Sequence, residues 1–483
     1  MENKSLKVFD IFQKISAIPR CSKNEKKVSA WIIQWAIKEG FDYKTDAVGN
    51  LLVSVPASKG YENAAGIILQ GHMDMVCEKI AGSTHDFSKD PIELVFGNEW
   101  LRAKDTSLGA DNGIGLALAL AVASDKSLVH PPLELLFTVD EETGLTGAGN
   151  IEEKWLKGKI LLNIDSEDEG VFIIGCAGGK DTCIKLPLTF EPVPEKSKTF
   201  QLRVHGLRGG HSGVDIHEQR ANAIKILARC LIFIMRDFPV SLISLNGGSA
   251  HNAISREAKA DMASMSELVD SIAKYIEDFE KIVQEEFEDI EPDLKITLEK
   301  TNAIEKKSTQ IISKKHAVTA INLLNALPHG VYNMSYKIPG MVETSSNLAT
   351  VQTKESNVEI ITSQRSNIMS RLSEITGYIR AVSALAGAET EDKNAYPAWQ
   401  PRWNSPLLSR CVDVYAQLFG NEPRIEVIHA GLECGVLSAK YPGMDTISFG
   451  PTIKGAHSPQ EKLHIASVEK IRKFLEILIS ADF

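Results

Sequence analysis

Ala64-Ala65-Gly66-Ile67-Ile68-Leu69, followed at once by Gln70-Gly71-His72-Met73-Asp74-Met75-Val76, is the stretch on which the reading of this chain turns. The first six residues form an apolar run with the length of a short buried strand. His72 and Asp74 then fall just past its carboxyl end, where open α/β sheets collect ligands and chemistry. Three later segments repeat the arrangement of an apolar run leading to polar ligand types. They are Leu133 to Val139 before Asp140-Glu141-Glu142, Ile160 to Ile164 before Asp165, and Thr446 to Phe449 before the loop that carries His457. The spacing predicts one metal site assembled from several strand ends.

Around that stretch lies a chain of 483 residues, long enough for two or three domains and a large core. Its hydrophobic fraction of 43% and charged fraction of 24% are ordinary globular values. A formal net charge of -10 gives no basic footprint, so nucleic acid is not an expected partner. The seven cysteines (21, 77, 176, 183, 230, 411 and 434) are scattered and free of CxxC spacing. Neither a disulfide framework nor a cysteine-rich zinc finger is expected, and a reducing cytoplasm fits. Residues Met1 to Lys7 lead into a mixed amphipathic segment without a signal peptide's apolar centre. No apolar run reaches the ~20 residues that would span a bilayer. The expectation is a soluble cytoplasmic protein with no membrane partner.

Along the chain, residues 7–19 and 24–39 have helical spacing, and Leu51 to Val55 reads as a strand. Glycines with Asp105, Asp111 and Asn112 mark a loop running into Ile114 to Ala121, a helix apolar on nearly all sides. Strands alternating with such helices to about residue 180 predict an α/β domain with a largely parallel mixed sheet flanked by helices. Near 185 the character changes. Pro187, Pro192 and Pro194 read as a crossing into a second domain. Beyond it, Phe200 to Val204 and Asn357 to Ile361 alternate apolar with polar residues, and Leu268, Ile272, Ile276, Phe279 and Val283 make a helical stripe. This predicts an α+β domain of two similar halves meeting near 305. Tyr396 to Trp403 reads as the return crossing, and the tail from 405 brings His457 back. The expected organisation is a discontinuous catalytic domain (1–184 and 395–483) with a lid domain (185–394) inserted.

Two catalytic zinc ions need nitrogen and oxygen ligands held by fixed backbone, plus one group bridging both metals. His72, Asp111, Glu142, Asp165 and His457 meet that need. One imidazole and one terminal carboxylate per metal, with Asp111 between, leave positions open for water and substrate. Ions so held lie ~3.5–4 Å apart. Zinc suits these donors, and manganese or cobalt tolerates the same oxygen-rich set. Asp74, two residues from His72, is placed to accept the ring's other N–H. Glu141, whose side chain diverges from that of Glu142 in an extended turn, is placed to act as general base on a water. Taken singly, a loop carboxylate is more often a cap or a solvated charge, and a histidine after a strand is more often structural. The set in equivalent topological positions carries the reading.

Gly71-His72-Met73-Asp74, Gly109-Ala110-Asp111-Asn112-Gly113, Asp140-Glu141-Glu142-Thr143-Gly144, Asn163-Ile164-Asp165-Ser166-Glu167 and Gly455-Ala456-His457-Ser458-Pro459 resemble the motifs of the M20 metallopeptidase family. Within it, the likeness is strongest to the bacterial aminoacyl-histidine dipeptidases, and it extends over essentially the whole chain. The resemblance implies a dizinc hydrolase. Asp111 would bridge, His72 and Asp165 would serve one zinc, and Glu142 and His457 the other. Glu141 would be the general base, Asp74 the orienting carboxylate, and the Asp111-Asn112 peptide cis. In the lid, Gly209-Gly210-His211-Ser212-Gly213 resembles the segment whose histidine stabilises the tetrahedral oxyanion. Asn252 resembles a substrate-contacting asparagine, Arg365 the arginine that takes the substrate's C-terminal carboxylate, and Gly431 a substrate-facing backbone position. Ser255 stands where many relatives have proline. Of the other nine histidines, His251 and His429 adjoin motifs, and the rest are assigned structural or surface roles.

The resemblance therefore implies metal-dependent hydrolysis of dipeptides, with preference for Xaa-His. Rival readings are a broader M20 dipeptidase, an aminoacylase, and a peptide-binding homologue without catalysis. Both a monomer and a homodimer are compatible with a duplicated lid.

Overall fold

In the computed structural model, which describes residues 3–301 and 310–480, the strand expected over 64–69 instead runs over Ile67–His72, taking in His72 as its last residue, and is buried along its whole length. It pairs in parallel with Leu133–Thr138 on one side and Ile160–Asn163 on the other. Asp445–Ser448 continues the parallel set beside Ile160–Asn163. These strands occupy the centre of an eight-stranded sheet. The antiparallel pair Asp42–Thr45 and Leu51–Val55 closes one edge, and Val171–Cys176 with Arg424–Ile428 closes the other. The fold is mixed α/β. Parallel strands align their carboxyl ends, so every loop that leaves the four central strands forwards emerges on the same side of the sheet.

The helix Ala110–Ala123 is buried from Asn112 onwards, as its all-apolar surface predicts. It packs against Ile67–His72 and the amphipathic helix Asn3–Ser16. The C-terminal segment completes the same core. Phe172 stacks on Phe474 with ring centroids 5.2 Å apart, and Phe449 meets Phe474 edge-on at 5.0 Å. Each such buried ring contributes roughly 1.5–3 kcal/mol, so residues beyond 400 are integral to this core.

The chain divides into two units. The first comprises Met1–Cys176, Trp399–Ile428 and Leu432–Phe483; the second comprises Ala177–Ala398 and His429–Gly431. The second unit is built on a nine-stranded sheet whose pairings are antiparallel. Lys295–Thr301, Ser197–His205, Ala258–Met265 and Ser241–Gly247 form one half, with the helices Ala223–Asp237 and Val269–Glu286. Val342–Thr353, Asn357–Ser366, Gly178–Pro187 and Glu389–Tyr396 form the other, with Lys314–Ala326 and Met369–Leu385. The halves join where Asn246 and Gly247 pair with Gln352 and Val351. The junction expected near 305 lies outside the described residues.

Two sequence expectations need correction. The prolines at 187–194 do not mark a crossing between units. Gly178–Pro187 is an internal strand of the second sheet, and Phe190–Pro192 pairs with Gln310–Ile312. Pro187 and Pro192 end their strands, where a missing N–H costs no ladder bond. The second correction concerns the cysteines. Cys21 and Cys77 are joined in a disulfide, with Cα atoms 5.7 Å apart, and the other five are not disulfide-bonded. The partners are 56 residues apart in sequence, and the bridge between Cys21 and Met75 brings their segments side by side. No local spacing could signal that meeting.

Candidate metal centre

The sheet places the site. His72 is the last residue of its strand, Glu141 and Glu142 follow Leu133–Thr138, Asp165 follows Ile160–Asn163, and His457 lies on a loop beyond Asp445–Ser448. Asp111 occupies a non-helical start to Ala110–Ala123, and its peptide bond to Asn112 is cis. Asn112 Nδ2 donates to the carbonyl of Ile164 at 2.6 Å, tying the turn of Asp111 to the segment that delivers Asp165.

All five expected ligand residues come together. His72 Nε2 lies 3.0 Å from Asp111 Oδ1 and 3.3 Å from Asp165 Oδ1. His457 Nε2 lies 3.1 Å from Asp111 Oδ2 and 3.0 Å from Glu142 Oε2. Asp111 thus turns one oxygen towards each histidine. The groups His72–Asp111–Asp165 and Asp111–Glu142–His457 each offer three ligand atoms within 4.8 Å of one another, and they share Asp111. A third group, His72–Glu141–Glu142, brings Glu141 to the same place.

Asp74 touches more than the His72 ring. Its Oδ1 lies 3.4 Å from His72 Nδ1 and accepts from the backbone N–H of Glu141 at 3.0 Å. Its Oδ2 accepts from the N–H of Glu142 at 3.2 Å and from Ser22 Oγ at 2.8 Å. One carboxylate therefore couples the first histidine to the acidic turn. Asp140 is structural: its carboxylate accepts from the hydroxyls of Thr143 and Thr146.

The electrostatics describe a site short of positive charge. Burial opposes a charge on His72, but Asp165, Asp111 and Asp74 outweigh it and hold the imidazole well above its ordinary value. Hydrogen bonds to Asp111 and Glu142 push His457 up to about 11. Burial is countered at Asp74 by His72 and by the N–H of Glu141, which hold it at about 2. At Asp111 burial is likewise outweighed, by His457 and His72, and the carboxyl stays well below its ordinary range. Burial, aided by neighbouring carboxylates, drives Glu141, Glu142 and Asp165 upward. Glu142 Oε1 and Asp165 Oδ1 are buried without a hydrogen-bond partner. Orphaned carboxylate oxygens beside two imidazoles fit a pair of divalent cations, which would satisfy them and discharge the repulsion.

Three supporting residues escape a reading by motif. Buried Arg20 donates from Nη1 to the carbonyls of Met73 and Asp74 at 3.1 and 2.7 Å, and from Nη2 to that of Gly109. Buried Glu461 accepts from the N–H groups of Leu108, Gly109 and Ala110 at 2.7–2.9 Å and from that of Asp111 at 3.3 Å. Glu433, fully buried, accepts from Gln70 Nε2 at 2.5 Å and Thr138 Oγ1 at 2.7 Å, and burial pushes it up to about 7. Glu461 stands just after the His457 motif and Arg20 just before Cys21, yet neither has a spacing that signals its partner.

In the second unit, Gly210 and His211 pair with Ile254 and Ala253, and Ser212 N–H donates to the carbonyl of Asn252 at 2.8 Å, so His211 and Asn252 are neighbours. His211 Nδ1 accepts from the N–H groups of Gly213 and Val214 at 3.2 and 3.0 Å. An acceptor at Nδ1 places the proton of the neutral ring on Nε2, which makes Nε2 a donor. Ser255 is buried and its hydroxyl donates to the carbonyl of Glu257 at 3.1 Å, holding the turn without proline. Buried Arg365 donates from Nη1 to the Tyr396 hydroxyl at 2.8 Å, and its Nε has no partner. Gly431 lies against the Tyr396 ring, where a Cβ would sit 2.6 Å from Cε2. His251 pairs with Asp181 at 2.9 Å, which raises it. Burial, with Arg365 and His211 nearby, pulls His429 down to about 3, and its Nε2 lies 2.7 Å from Ser345 Oγ.

Known proteins resemble this chain in sequence and fold. The chain is 44% identical over 461 residues to the cytosol non-specific dipeptidase of Escherichia coli (strain K12), covering 95% of this chain and 94% of that relative. The crystal structure of aminoacylhistidine dipeptidase from Vibrio alginolyticus superposes with a TM-score of 0.82 at 41% identity, covering 98% of this chain and 96% of that one. Aminopeptidase PepT from Bacillus cereus ATCC 10987, at 15% identity, a TM-score of 0.56 and coverage of 99% and 98%, shares the fold. The profile of peptidase family M20/M25/M40 matches residues 68–481, a span that opens at the strand of His72 and runs past His457. By that match, and by the likeness over almost its whole length to the dipeptidase of Escherichia coli, the chain belongs to peptidase family M20/M25/M40.

Proposed function

We propose that this chain is a cytosolic dizinc dipeptidase that hydrolyses dipeptides, with Xaa-His peptides of the carnosine type as preferred substrates. The observation that carries the reading is Asp111, whose two oxygens face His72 and His457, each histidine having a further carboxylate beside it. The likeness to relatives named a non-specific and an aminoacylhistidine dipeptidase supports the substrate class. The E. coli relative's cytosolic name supports the compartment, and among the described residues no helix is long and apolar enough to cross a membrane.

His72, Asp111 and Asp165 would hold one cation, and Asp111, Glu142 and His457 the second. Two such ions, when bound, supply Lewis acidity for the scissile carbonyl and lower the pKa of a water. Glu141, half-buried beside the proposed ligands, takes the proton from the attacking water and passes it to the leaving amine. Asp74 fixes the tautomer of His72 and the path of the Glu141 backbone. His211 presents its Nε2–H to the developing oxyanion. Arg365 takes the substrate's terminal carboxylate with Asn252 beside it, and Gly431 leaves the backbone there open to close approach.

Glu141→Gln tests the mechanism. We expect kcat to fall roughly 10³-fold while metal content, read by atomic absorption, stays at the wild-type level. Unchanged hydrolysis would remove Glu141 from the mechanism. The ratio of kcat/KM for carnosine-type and other Xaa-His dipeptides to that for dipeptides ending in other residues tests the preference. A ratio near one leaves a broad dipeptidase.

A further inference from the structure

We propose that Tyr396 is the positioning residue for Arg365 and makes a free C-terminal carboxylate a condition of tight substrate binding. The inference rests on the reading of Arg365 given above.

Arg365 on the strand Asn357–Ser366 lies opposite Gly179 of Gly178–Pro187, and Gly179 lies opposite Tyr396 of Glu389–Tyr396. Arginine, glycine and tyrosine therefore form a row across three adjacent strands, with the outer two roughly 10 Å apart at the backbone. The glycine leaves the middle of that row empty, and the phenol ring fills it. A Cβ at Gly179 would lie 2.6 Å from Tyr396 Cε1, and one at Gly431 the same distance from Cε2. An irregularity in register between Lys393 and Tyr396 brings the tyrosine opposite Gly179. Its hydroxyl accepts from Arg365 Nη1 at 2.8 Å. Across the arginine, a Cβ at Gly213 would lie 3.1 Å from Nε, so Arg365 is enclosed on that side as well.

Arg365 is only 7% exposed, its Nε has no partner, and among the described residues no carboxylate forms an ion pair with it. A buried cation normally acquires a carboxylate partner, because desolvation is otherwise uncompensated. A phenol orients the guanidinium without neutralising it. The charge is left for an anionic group that arrives with the substrate.

The test compares L-alanyl-L-alanine as substrate with L-alanyl-L-alaninamide as competitor. For Tyr396→Phe we expect KM for the free acid to rise roughly tenfold, the scale of one charge-assisted hydrogen bond, with kcat changed by less than about twofold. The inhibition constant of the amide should not move. Arg365→Gln should abolish the preference for acid over amide. If Arg365→Gln abolishes it and Tyr396→Phe leaves KM at the wild-type value, the role of Tyr396 is refuted while that of Arg365 stands. If neither variant changes the preference, both fall. A rise in KM matched by an equal weakening of the amide marks a structural tyrosine and also refutes the proposal. Should Tyr396→Phe not fold, Gly179→Ala, whose methyl would displace the ring with the hydroxyl intact, makes the same prediction of an effect on KM alone.

Discussion

At the scale of single residues, the centre is a matter of which carboxylates are saturated and which are not. Asp74 has donors on both oxygens, including two backbone N–H groups, and Asp111 faces two imidazoles, whereas Glu142 and Asp165 each keep one buried oxygen unpartnered. Satisfied acids organise; unsatisfied ones wait for a ligand. Asp74→Asn should weaken metal binding roughly 10–100-fold, the usual cost of losing a carboxylate behind a ligating histidine, as read by competition with a chelator. An unchanged dissociation constant would show that Asp74 serves the Glu141 turn alone. The residues with a motif around them, His72, Asp111, Glu142, Asp165 and His457, were legible from spacing, because each follows an apolar run or opens a helix. Arg20 and Glu461 were not, because their partners are main-chain groups far away in sequence, and a main-chain carbonyl or N–H leaves no mark on composition.

At the scale of elements, loops leaving the sheet are held by side chains that bind backbone. Glu461 gathers the N–H groups of residues 108–111, and Arg20 joins the carbonyls at 73, 74 and 109. Glu461→Ala would leave these buried N–H groups unpaired and Arg20 short of a counter-charge. We expect a loss of roughly 3 kcal/mol or more in the urea unfolding of the first unit, and wild-type stability would refute the bracing role. The disulfide acts on the same segments. When oxidised, it closes a loop across a sequence separation of 56 residues, limits the unfolded chain and contributes about 4 kcal/mol in the chain-entropy description, a contribution that a reducing cytosol withdraws. Treatment with dithiothreitol should therefore lower the Tm by several degrees, and Cys21→Ser should show the lower Tm without reductant. Equal transitions would refute the linkage. Strands and helices were legible wherever an apolar period ran long enough, as at 67–72, 133–138 and Val269–Glu286. The proline run at 187–194 was misread because proline ends a strand as readily as it opens a linker.

For the whole molecule, protons would compete with the proposed metal ions for one cluster. His457 has an ordinary value of 6.5 and is raised to about 11 on folding. A group raised in this way stabilises the fold fully below its unfolded value and loses that contribution as pH climbs to the folded one. Glu141, Glu142 and Asp165, raised by burial, act in the same sense, whereas Asp74, held at about 2 against an ordinary 3.8, withdraws its contribution only as pH falls through that interval. The metal-free protein should accordingly be most stable at about pH 4, where Asp74 is ionised and the raised carboxyls are still protonated, and weaken as pH climbs from there towards about 11. With zinc in place of the protons, the Tm should hold across the alkaline part of that window. Thermal scans of both forms are the check, and parallel curves would refute the exchange. By itself, the sequence determined the α/β class and the family, because strand-end motifs are local and survive as contiguous letters. The tertiary structure alone decided that Asp111 faces both histidines, that Tyr396 reaches Arg365 across a glycine, that Cys21 meets Cys77, and that unpaired oxygens remain at the centre. Those facts depend on which segments become neighbours once the core has closed, and distance along the chain does not encode distance in space.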